Sequence, residues 1–254
     1  MPGELSFCET YGLYNFRDIG GYPCSNGAVV RRGFIYRSAG LTQLTTLGEL
    51  LLRDELGIKY IFDLRASTEG SKTLTAGIIT QHVPALDWEQ SRQPIMDHFN
   101  SLAEDPIHAF LVVYEHLLIA SGPAFKTILT FIKQHPGCPV LIHCDLGKDR
   151  TGILIALLLT LAGVSEEDVL EDYHLSERGI EPLIASKTAR LLRHIGPEQP
   201  PRKIERHFWA HPDSMKACLR VVDEVYGGVS GYFRFLGLND TEIDCIRRRL
   251  VEAE

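Results

Sequence analysis

A short polar block lies between two strongly apolar segments near the middle of the chain. The first segment, 139–142, reads Pro-Val-Leu-Ile and has the length and β-branching of a buried strand. The second, 153–159, is rich in Leu and Ala and predicts a buried helix. The block between them, 143–152, reads His-Cys-Asp-Leu-Gly-Lys-Asp-Arg-Thr-Gly. The pattern predicts a strand, a short loop and a helix, with Cys144 entering the loop and Arg150 leaving it.

This order of elements predicts an anion site. A helix N-terminus presents unpaired backbone N–H groups and the positive end of the helix dipole. Successive N–H groups in a loop form a concavity that holds an anion, and Arg150 adds a fork that matches two phosphate oxygens. The same positive field stabilises the thiolate form of Cys144, a nucleophile aimed at phosphorus. The alternative for Cys144 is a structural core cysteine, but a core strand running into a core helix needs no pair of adjacent cations.

The polar block resembles the phosphate loop of a known family. Cys144 to Arg150 has the Cys-x5-Arg form of cysteine-dependent phosphatases, and the longer string resembles the atypical tyrosine and lipid phosphatases of bacteria and fungi. Other stretches of the chain resemble further motifs of that branch, namely Asn15 to Asp18, Arg37-Ser38, Asp63 to Arg65, Glu69, Tyr226 to Gly228, Tyr232 and Leu236 to Leu238. The resemblance spans nearly the whole chain and implies phosphoester hydrolysis through a phosphocysteine, without a metal or other cofactor.

Such an enzyme needs a nucleophile, a cradle for the phosphoryl charge and a proton donor. We expect Cys144 to be the nucleophile and Arg150, with the loop amides, to hold the charge, while Thr151 hydrogen-bonds the thiolate. The residues expected to contact phosphate or substrate are Asp145, Leu146, Gly147, Lys148, Asp149, Arg150 and Thr151. His143 and Arg65 are expected to support the loop from behind.

The proton donor has several candidates in the sequence, which are Asp63, Asp87, Asp97, Asp105 and Asp149. The resemblance favours Asp63 and also points to Asp149. Asp63 follows a predicted strand, and ligands of open α/β sheets bind at the carboxyl ends of strands. The alternative for Asp63 is a salt bridge to Arg65 or Arg150.

The substrate class stays open between phosphotyrosine, a phosphoinositide and a small phosphorylated metabolite. Lys148 is a second cation in the loop and suits a substrate with more charge than one phosphate. Many relatives carry a small or apolar residue followed by Ala at these two positions, where this chain has Asp145 and Leu146. An acid beside the nucleophile opposes the thiolate if it points inward, and Leu146 narrows the pocket floor. We therefore hypothesise a small metabolite rather than a protein. The competing functions are a catalytically weak loop that binds phosphorylated partners, and sulfur transfer.

Composition narrows the remaining function classes. The net charge of -7 argues against nonspecific nucleic-acid binding, which needs a basic face. The six cysteines are scattered with no Cys-x-x-Cys pair, so a zinc site is not expected. No signal peptide is visible, and the longest apolar run, 153–164, is shorter than the about 20 residues that cross a bilayer. The expectation is a cytoplasmic protein with no integral membrane segment.

The predicted fold is a single α/β phosphatase-like domain over residues 1–254. It has a β-rich N-terminal part (1–40), a catalytic α/β core (41–164) and a helical extension (165–254). The core is expected to be a twisted, mostly parallel sheet of about four or five strands flanked by helices. A helix at 42–56 is expected to bury Leu44, Leu47, Leu51 and Leu52. The polar stretch 88–105 predicts an irregular segment, either a lid or an ordinary surface connection, and the basic residues of 202–211 favour a solvated face over a ligand site.

Overall fold

The computed structural model describes residues 9–66, 77–86 and 88–253. The strands in these ranges are β1 (Arg17–Asp18), β2 (Ala28–Val30), β3 (Ile35–Ser38), β4 (Tyr60–Asp63), β5 (Ile79–His82), β6 (Val140–His143) and β7 (Val251–Ala253). The helices are α1 (Thr46–Leu50), α2 (Trp88–Ser101), α3 (Pro106–Ala120), α4 (Gly122–Gln134), α5 (Arg150–Ala162), α6 (Glu166–Ile180), α7 (Ile184–Ile195), α8 (Pro201–His207), α9 (Pro212–Tyr226), α10 (Val229–Phe235) and α11 (Asp240–Leu250). Short 3₁₀ turns cover Glu9–Tyr11, Leu41–Gln43 and Glu181–Leu183, and a π-helical turn covers Leu51–Glu55.

The central sheet has the strand order β1-β3-β6-β4-β5. Strands β3, β6, β4 and β5 are parallel, and β1 is an antiparallel edge strand. The register pairs His143 of β6 with Ser38 on one side and with Asp63 on the other. The carboxyl ends of three strands therefore meet at one edge of the sheet, where parallel sheets bind their ligands. The prediction of a mostly parallel sheet flanked by helices is confirmed.

Helix α5 packs directly against this sheet and is buried along most of its length. Leu154, Leu157 and Leu158 are fully buried within the main apolar core. The helix ends where Gly163 adopts a left-handed conformation at φ 92°, which glycine reaches without a Cβ penalty. Because β6 is also buried at every position, the loop between β6 and α5 is held rigidly at both ends.

The stretch 88–105, predicted to be irregular, is mostly the helix α2, so that prediction was wrong. Pro94 within the helix and the lack of a clear apolar period hid it from the sequence. His98 and Phe99 are nevertheless buried, and α2 packs against α3. Tertiary packing has outweighed a weak local signal. Asp87, a candidate proton donor, lies outside the described residues, as do Cys8 and Glu69.

The predicted helix at 42–56 is present but shorter. Of the four leucines expected to be buried, Leu44 and Leu52 are buried and Leu51 is partly buried, whereas Leu47 is exposed. The helix begins at Thr46, capped by the Thr45 side chain, and continues into the π-helical turn. Leu44 therefore precedes the helix, and Leu47 is 54% exposed, contrary to expectation. The Leu56 N–H donates to Leu51, five residues back, and this wider winding changes which positions share a face.

The C-terminal third is helical from α6 to α11, as predicted, except at its last described residues. There β7 pairs antiparallel with β2 and ties the end of the chain to its N-terminal part. The basic residues of 202–211 were predicted to form a solvated face, but Arg206 is only 7% exposed and donates to the carbonyls of Leu102 and Ala103. Within the described ranges, no single helix is long and apolar enough to cross a membrane. Helices α3 and α4 meet that length and composition only when taken together, and the pair is bent by 61°.

Removing buried volume from α5 tests its role in holding the loop. We expect Leu157→Ala to lower the free energy of unfolding by about 2–5 kcal/mol, because it leaves a cavity in a core with no room to collapse. Ile119→Ala removes similar volume at a site that is 62% exposed, and it should change stability by less than about 0.5 kcal/mol. Urea unfolding of both variants measures the difference. Equal losses would contradict the assignment of α5 to the core.

Candidate active site

Cys144 lies at the carboxyl end of the central strand and opens the loop that leads into α5. Its side chain is 1% exposed. Asp149 occupies the N-cap position, and Arg150 is the first residue of α5. The loop 144–149 thus runs between a strand end and a helix N-terminus, whose first N–H groups have no partner within the helix. The predicted order of strand, loop and helix is present.

Neighbouring residues donate hydrogen bonds to three carbonyl oxygens of the loop. The Gly40 N–H donates to Asp145 at 3.0 Å, the Asn15 side-chain amide to Leu146 at 2.8 Å, and Arg37 Nη2 to Gly147 at 2.7 Å. A trans peptide places its N–H opposite its carbonyl. Anchoring three successive carbonyls therefore directs the following N–H groups the other way, which preforms the concavity that an anion needs.

Gly147 is required by the close approach of β3. It has φ of +67°, and a Cβ at this position would lie 2.1 Å from the carbonyl oxygen of Ser38. Any other residue would both strain the backbone and collide with β3.

A buried ionic cluster of Arg17, Arg37 and Asp172 stands behind the loop. Arg17 Nε lies 2.8 Å from Asp172 Oδ1, and Arg37 bonds the other carboxylate oxygen. These three side chains are at most 1% exposed. Burial alone would raise the pKa of Asp172, but the two arginines outweigh it and hold that pKa below its usual value. Burial lowers the pKa of Arg37 to about 10, so the cluster keeps two positive charges against one negative charge at neutral pH.

Asp63 forms a salt bridge with Arg65, which is the alternative that the sequence left open. Arg65 binds the carboxylate with Nε at 2.9 Å and Nη2 at 2.6 Å, and its backbone N–H adds a third donor at 3.0 Å. Burial would raise the pKa of Asp63, but Arg65 and nearby His143 hold it below its usual value. A carboxylate that is ionised and clamped in this way is poorly suited to donate a proton.

His143 supports the loop through the backbone. Burial lowers its pKa, so the imidazole is neutral at pH 7. Its Nδ1 lies 3.1 Å from the carbonyl oxygen of Cys144, and as the protonated nitrogen it donates there. His143 therefore contacts the first carbonyl of the loop, while the Arg65 side chain binds Asp63.

Asp149 lies at the mouth of the loop among several donors. Tyr114 donates its hydroxyl to Asp149 Oδ1 at 2.8 Å, and Lys148 Nζ lies 2.5 Å from the same oxygen. Burial would raise the pKa of Asp149, but Lys148, Tyr114 and His207 together hold it below its usual value. Its side chain is 31% exposed, whereas that of Asp63 is 1% exposed. Of these two carboxylates, Asp149 is therefore the one that a leaving group can reach.

Lys148 is buried rather than directed into solvent. Its side chain is 1% exposed, and its ammonium lies 4.6 Å from the centre of the Phe110 ring. This cation–π contact and the bond to Asp149 hold the ammonium beside the loop.

Arg150 and Thr151 are the first two residues of α5. Arg150 Nη1 lies 3.3 Å from the carbonyl oxygen of Leu64, and the residue remains partly exposed. Thr151 is fully buried, and its hydroxyl has no hydrogen-bond partner within the described parts of the chain. The expected bond from Thr151 to the Cys144 thiolate is therefore not formed, which leaves that hydroxyl available to another acceptor.

The pair Asp145-Leu146 contacts residues of the helical extension. Asp145 forms ion pairs with Lys187 and Arg190 of α7. Leu146 is 8% exposed and packs in a small apolar cluster with Ala39, Ile180, Leu183 and Phe208. Both side chains thus connect the loop to the helical extension.

The other carboxylates considered as proton donors have structural roles. Asp97 accepts from Gln93 on the exposed side of α2, and Asp105 caps the N-terminus of α3. Over the ranges that the structure describes, no group of three or more His, Cys, Asp or Glu side chains is arranged to hold a metal ion.

Asp172 and Tyr114 are site residues that sequence reasoning missed. A signal for Asp172 is present, because Val169, Asp172, Tyr173 and Ser176 share one face of α6 at helical spacing and all are buried. An acid on an apolar face needs a buried partner, and two arginines supply it. Tyr114 gave no comparable signal among the aromatic residues of α3.

Comparison with known proteins relates these residues to a family. Residues 8–252 match the model of a family described as the tyrosine phosphatase family. A tyrosine-protein phosphatase of Nostoc commune is 30% identical over 239 residues, which cover 91% of this chain and 78% of that protein. The triple specificity protein phosphatase PtpB of Mycobacterium tuberculosis is 25% identical over 274 residues, covering 94% and 97%. The solved structure of P. aeruginosa TpbA aligns with 84% of this chain and 91% of its own, at 16% identity and a TM-score of 0.35.

Removing the buried charge of Asp172 tests the cluster behind the loop. We expect Asp172→Asn to lower the free energy of unfolding by about 3–5 kcal/mol, because it leaves two buried arginines without a counter-ion. The free energy of unfolding of this variant should also depend less on pH in the acid range than that of the wild type. A carboxyl whose pKa is lowered on folding stabilises the protein above its unfolded pKa of about 4, and this contribution is lost as the pH falls through the folded value.

Urea unfolding between neutral and acid pH measures both effects of Asp172→Asn. Glu171→Gln is the matched control, since Glu171 is the exposed neighbour of Asp172 on α6. An Asp172→Asn variant as stable as the Glu171→Gln variant would show that the cluster is not the support we describe.

Proposed function

The chain belongs to the tyrosine phosphatase family, and on that premise we propose that it hydrolyses phosphate monoesters through a phosphocysteine formed on Cys144. The observation that carries this proposal is the anchored loop. Cys144 sits where a strand end, a preformed set of loop amides and the N-terminus of α5 converge, with Arg150 at the first helical position. Candidate substrates are phosphotyrosine, a phosphoinositide and a small phosphorylated metabolite.

In the first step the Cys144 thiolate attacks phosphorus and the bond from phosphorus to the ester oxygen breaks. The loop amides and Arg150 hold the charge on the equatorial oxygens. Behind them, Arg37 of the cluster formed by Arg17, Arg37 and Asp172 holds the loop through the carbonyl of Gly147. The buried Thr151 hydroxyl, which has no partner within the described chain, supplies a further donor to a phosphoryl oxygen.

Asp149 is the general acid of this proposal. A phosphate dianion in the loop places negative charge beside Asp149, which raises its pKa and draws Lys148 towards the phosphate. The protonated carboxyl then gives its proton to the leaving oxygen. In the second step the same carboxylate takes a proton from water, which attacks the phosphocysteine and releases phosphate and the thiolate. Asp63 keeps its bond to Arg65 throughout.

The nucleophile is tested with p-nitrophenyl phosphate in the presence of EDTA. We expect the wild type to release phosphate and Cys144→Ser to release none above background, because the hydroxyl is a far weaker nucleophile than a thiolate. Cys245→Ser is the matched control, since Cys245 is a partly exposed cysteine on α11 and should keep wild-type turnover. Turnover by Cys144→Ser equal to that of the wild type would overturn the phosphocysteine.

The general acid is tested by changing the leaving group. Phenolate leaves poorly without a proton, whereas p-nitrophenolate leaves readily. We expect Asp149→Asn to lower kcat on phenyl phosphate by about 10²–10⁴-fold, with a smaller loss on p-nitrophenyl phosphate. It should also remove the fall of kcat at high pH that reports loss of the acid's proton. Asp63→Asn should lower thermal stability and affect both substrates alike. The reverse pattern, with leaving-group dependence in Asp63→Asn, would transfer the role to Asp63.

A further inference from the structure

Two buried tyrosines, Tyr114 on α3 and Tyr173 on α6, are connected to the carboxylate of Asp149. The Tyr114 hydroxyl lies 2.8 Å from Asp149 Oδ1, and the Tyr173 hydroxyl lies 2.6 Å from the hydroxyl of Tyr114. Tyr114 is 0% exposed and Tyr173 is 1% exposed. A chain of two hydrogen bonds that is shielded from solvent therefore ends on the carboxylate at the mouth of the loop.

The direction of this hydrogen-bond chain follows from the protons available. An ionised carboxylate only accepts hydrogen bonds, and a tyrosine hydroxyl has one proton to donate. Tyr114 gives its proton to Asp149, so the bond between the two hydroxyls uses the proton of Tyr173. Burial raises the pKa of Tyr114 and that of Tyr173 well above the usual value, so both keep their protons at neutral pH. Both tyrosines are therefore donors, and the chain runs towards Asp149.

The two carboxylate oxygens of Asp149 have different surroundings. Oδ1 accepts from Tyr114 and also lies 2.5 Å from Lys148 Nζ. Oδ2 has no hydrogen-bond partner among the described residues, and the Asp149 side chain is 31% exposed. A proton on Oδ1 would displace one of its two donors, whereas a proton on Oδ2 displaces none. The arrangement therefore directs the proton to Oδ2, which a substrate oxygen can reach.

The two tyrosines are held by packing, whereas Lys148 has a flexible four-carbon stem. The rings of Tyr114 and Tyr173 meet edge to face, with centroids 6.4 Å apart and planes at 87°. A Cβ on Gly152, in the first turn of α5, would lie 3.2 Å from Tyr173 Cδ2, so this ring lies directly against the helix. Tyr114 therefore stays on Oδ1 when Lys148 turns towards a bound phosphate.

We propose that Tyr114 and Tyr173 are positioning residues for the general acid, which hold Oδ1 of Asp149 as an acceptor and leave Oδ2 to carry the proton. The inference rests on the proposed function, in which Asp149 is that acid. In the first step the proton moves from Oδ2 to the leaving oxygen, and in the second step Oδ2 takes a proton from the attacking water. Oδ1 stays bonded to Tyr114 throughout, so one oxygen serves first as acid and then as base without rotation of the carboxyl group.

Replacing one hydroxyl at a time tests the pair. We expect Tyr114→Phe to lower kcat on phenyl phosphate by about 10–100-fold, which is part of the roughly 10²–10⁴-fold that a positioned acid supplies. The loss on p-nitrophenyl phosphate should be smaller, and KM should be unchanged on both substrates. Tyr173→Phe should act in the same direction but more weakly, because Tyr114 keeps its bond to Asp149 and loses only the donor behind it.

The pH dependence of kcat is a second readout, which a loss of stability would not move. A hydrogen bond to an ionised carboxylate lowers its pKa, so Tyr114→Phe should raise the pKa of Asp149 and move the alkaline fall of kcat to higher pH. The histidines near Asp149 do not change charge in this range, because burial lowers the pKa of His98 to about 4 and that of His207 to about 3. Lys148 is the same in the wild type and in the variants.

Tyr232→Phe is the matched control. Tyr232 is also 0% exposed, and its hydroxyl donates to the carbonyl of Leu118 at 2.5 Å rather than to a residue of the loop. This variant loses a buried hydrogen bond but should keep the leaving-group dependence and the pH profile of the wild type. Identical kinetics of Tyr114→Phe and Tyr232→Phe, or an equal loss on both substrates in Tyr114→Phe, would overturn the positioning role.

A measurement without turnover separates this proposal from the proposed function. In the Cys144→Ser protein with isotopically labelled aspartate, the Asp149 carboxyl signal is identified by its loss in Asp149→Asn and is titrated by NMR from neutral to acid pH. We expect Tyr114→Phe to raise the midpoint of this titration and Tyr232→Phe to leave it unchanged. An unchanged midpoint in Tyr114→Phe would overturn the pair even if the wild type hydrolyses both esters. A raised midpoint, with no phosphate release by the wild type, would refute the proposed hydrolysis and leave control of the Asp149 proton by the pair standing.

Discussion

The loop 144–149 depends on the buried cluster of Arg17, Arg37 and Asp172. It joins β1 and β3, near the N-terminus, to α6 in the helical extension. From this position Arg37 also bonds the carbonyl of Gly147, and Arg17 orients Asn15, which bonds the carbonyl of Leu146. The same contacts thus hold the shape of the loop and tie it to the buried charges of the core. The stability of the fold and the shape of the loop are therefore coupled through one set of bonds.

The carboxylates around Cys144 show how burial and pairing divide their roles. Burial would raise the pKa of Asp63, Asp172 and Asp149, and neighbouring cations hold each of these pKa values below its usual value. The two with almost no exposure, Asp63 and Asp172, are locked to arginines whose forked donors match a carboxylate. Asp149 is partly exposed and is held by Lys148, a point charge that a phosphate can compete for. This difference in partner and exposure supports Asp149 as the group that exchanges a proton with the substrate.

Local sequence pattern predicted the elements whose signal is strong and contiguous. The apolar strand, the polar loop and the apolar helix around Cys144 follow from residues that are neighbours in the chain, and so does the placement of Asp63 at a strand end. The same kind of reasoning missed α2, because Pro94 and mixed polar residues conceal a helix that its packing on α3 stabilises. It also placed Leu47 in the core, because the π-helical winding after α1 has no recognisable pattern in the sequence.

The sequence by itself determined that Cys144 and Arg150 would lie at the two ends of a short loop between a strand and a helix N-terminus, because these features lie within a few residues of each other. Only the tertiary structure decided what each charged side chain pairs with. Arg17 and Asp172 are 155 positions apart, and Asp145 and Lys187 are 42 positions apart, so no local pattern relates them. The energy of a buried charge is set by its distance to a counter-ion and by its exclusion from water. Both quantities exist only once distant segments have packed together.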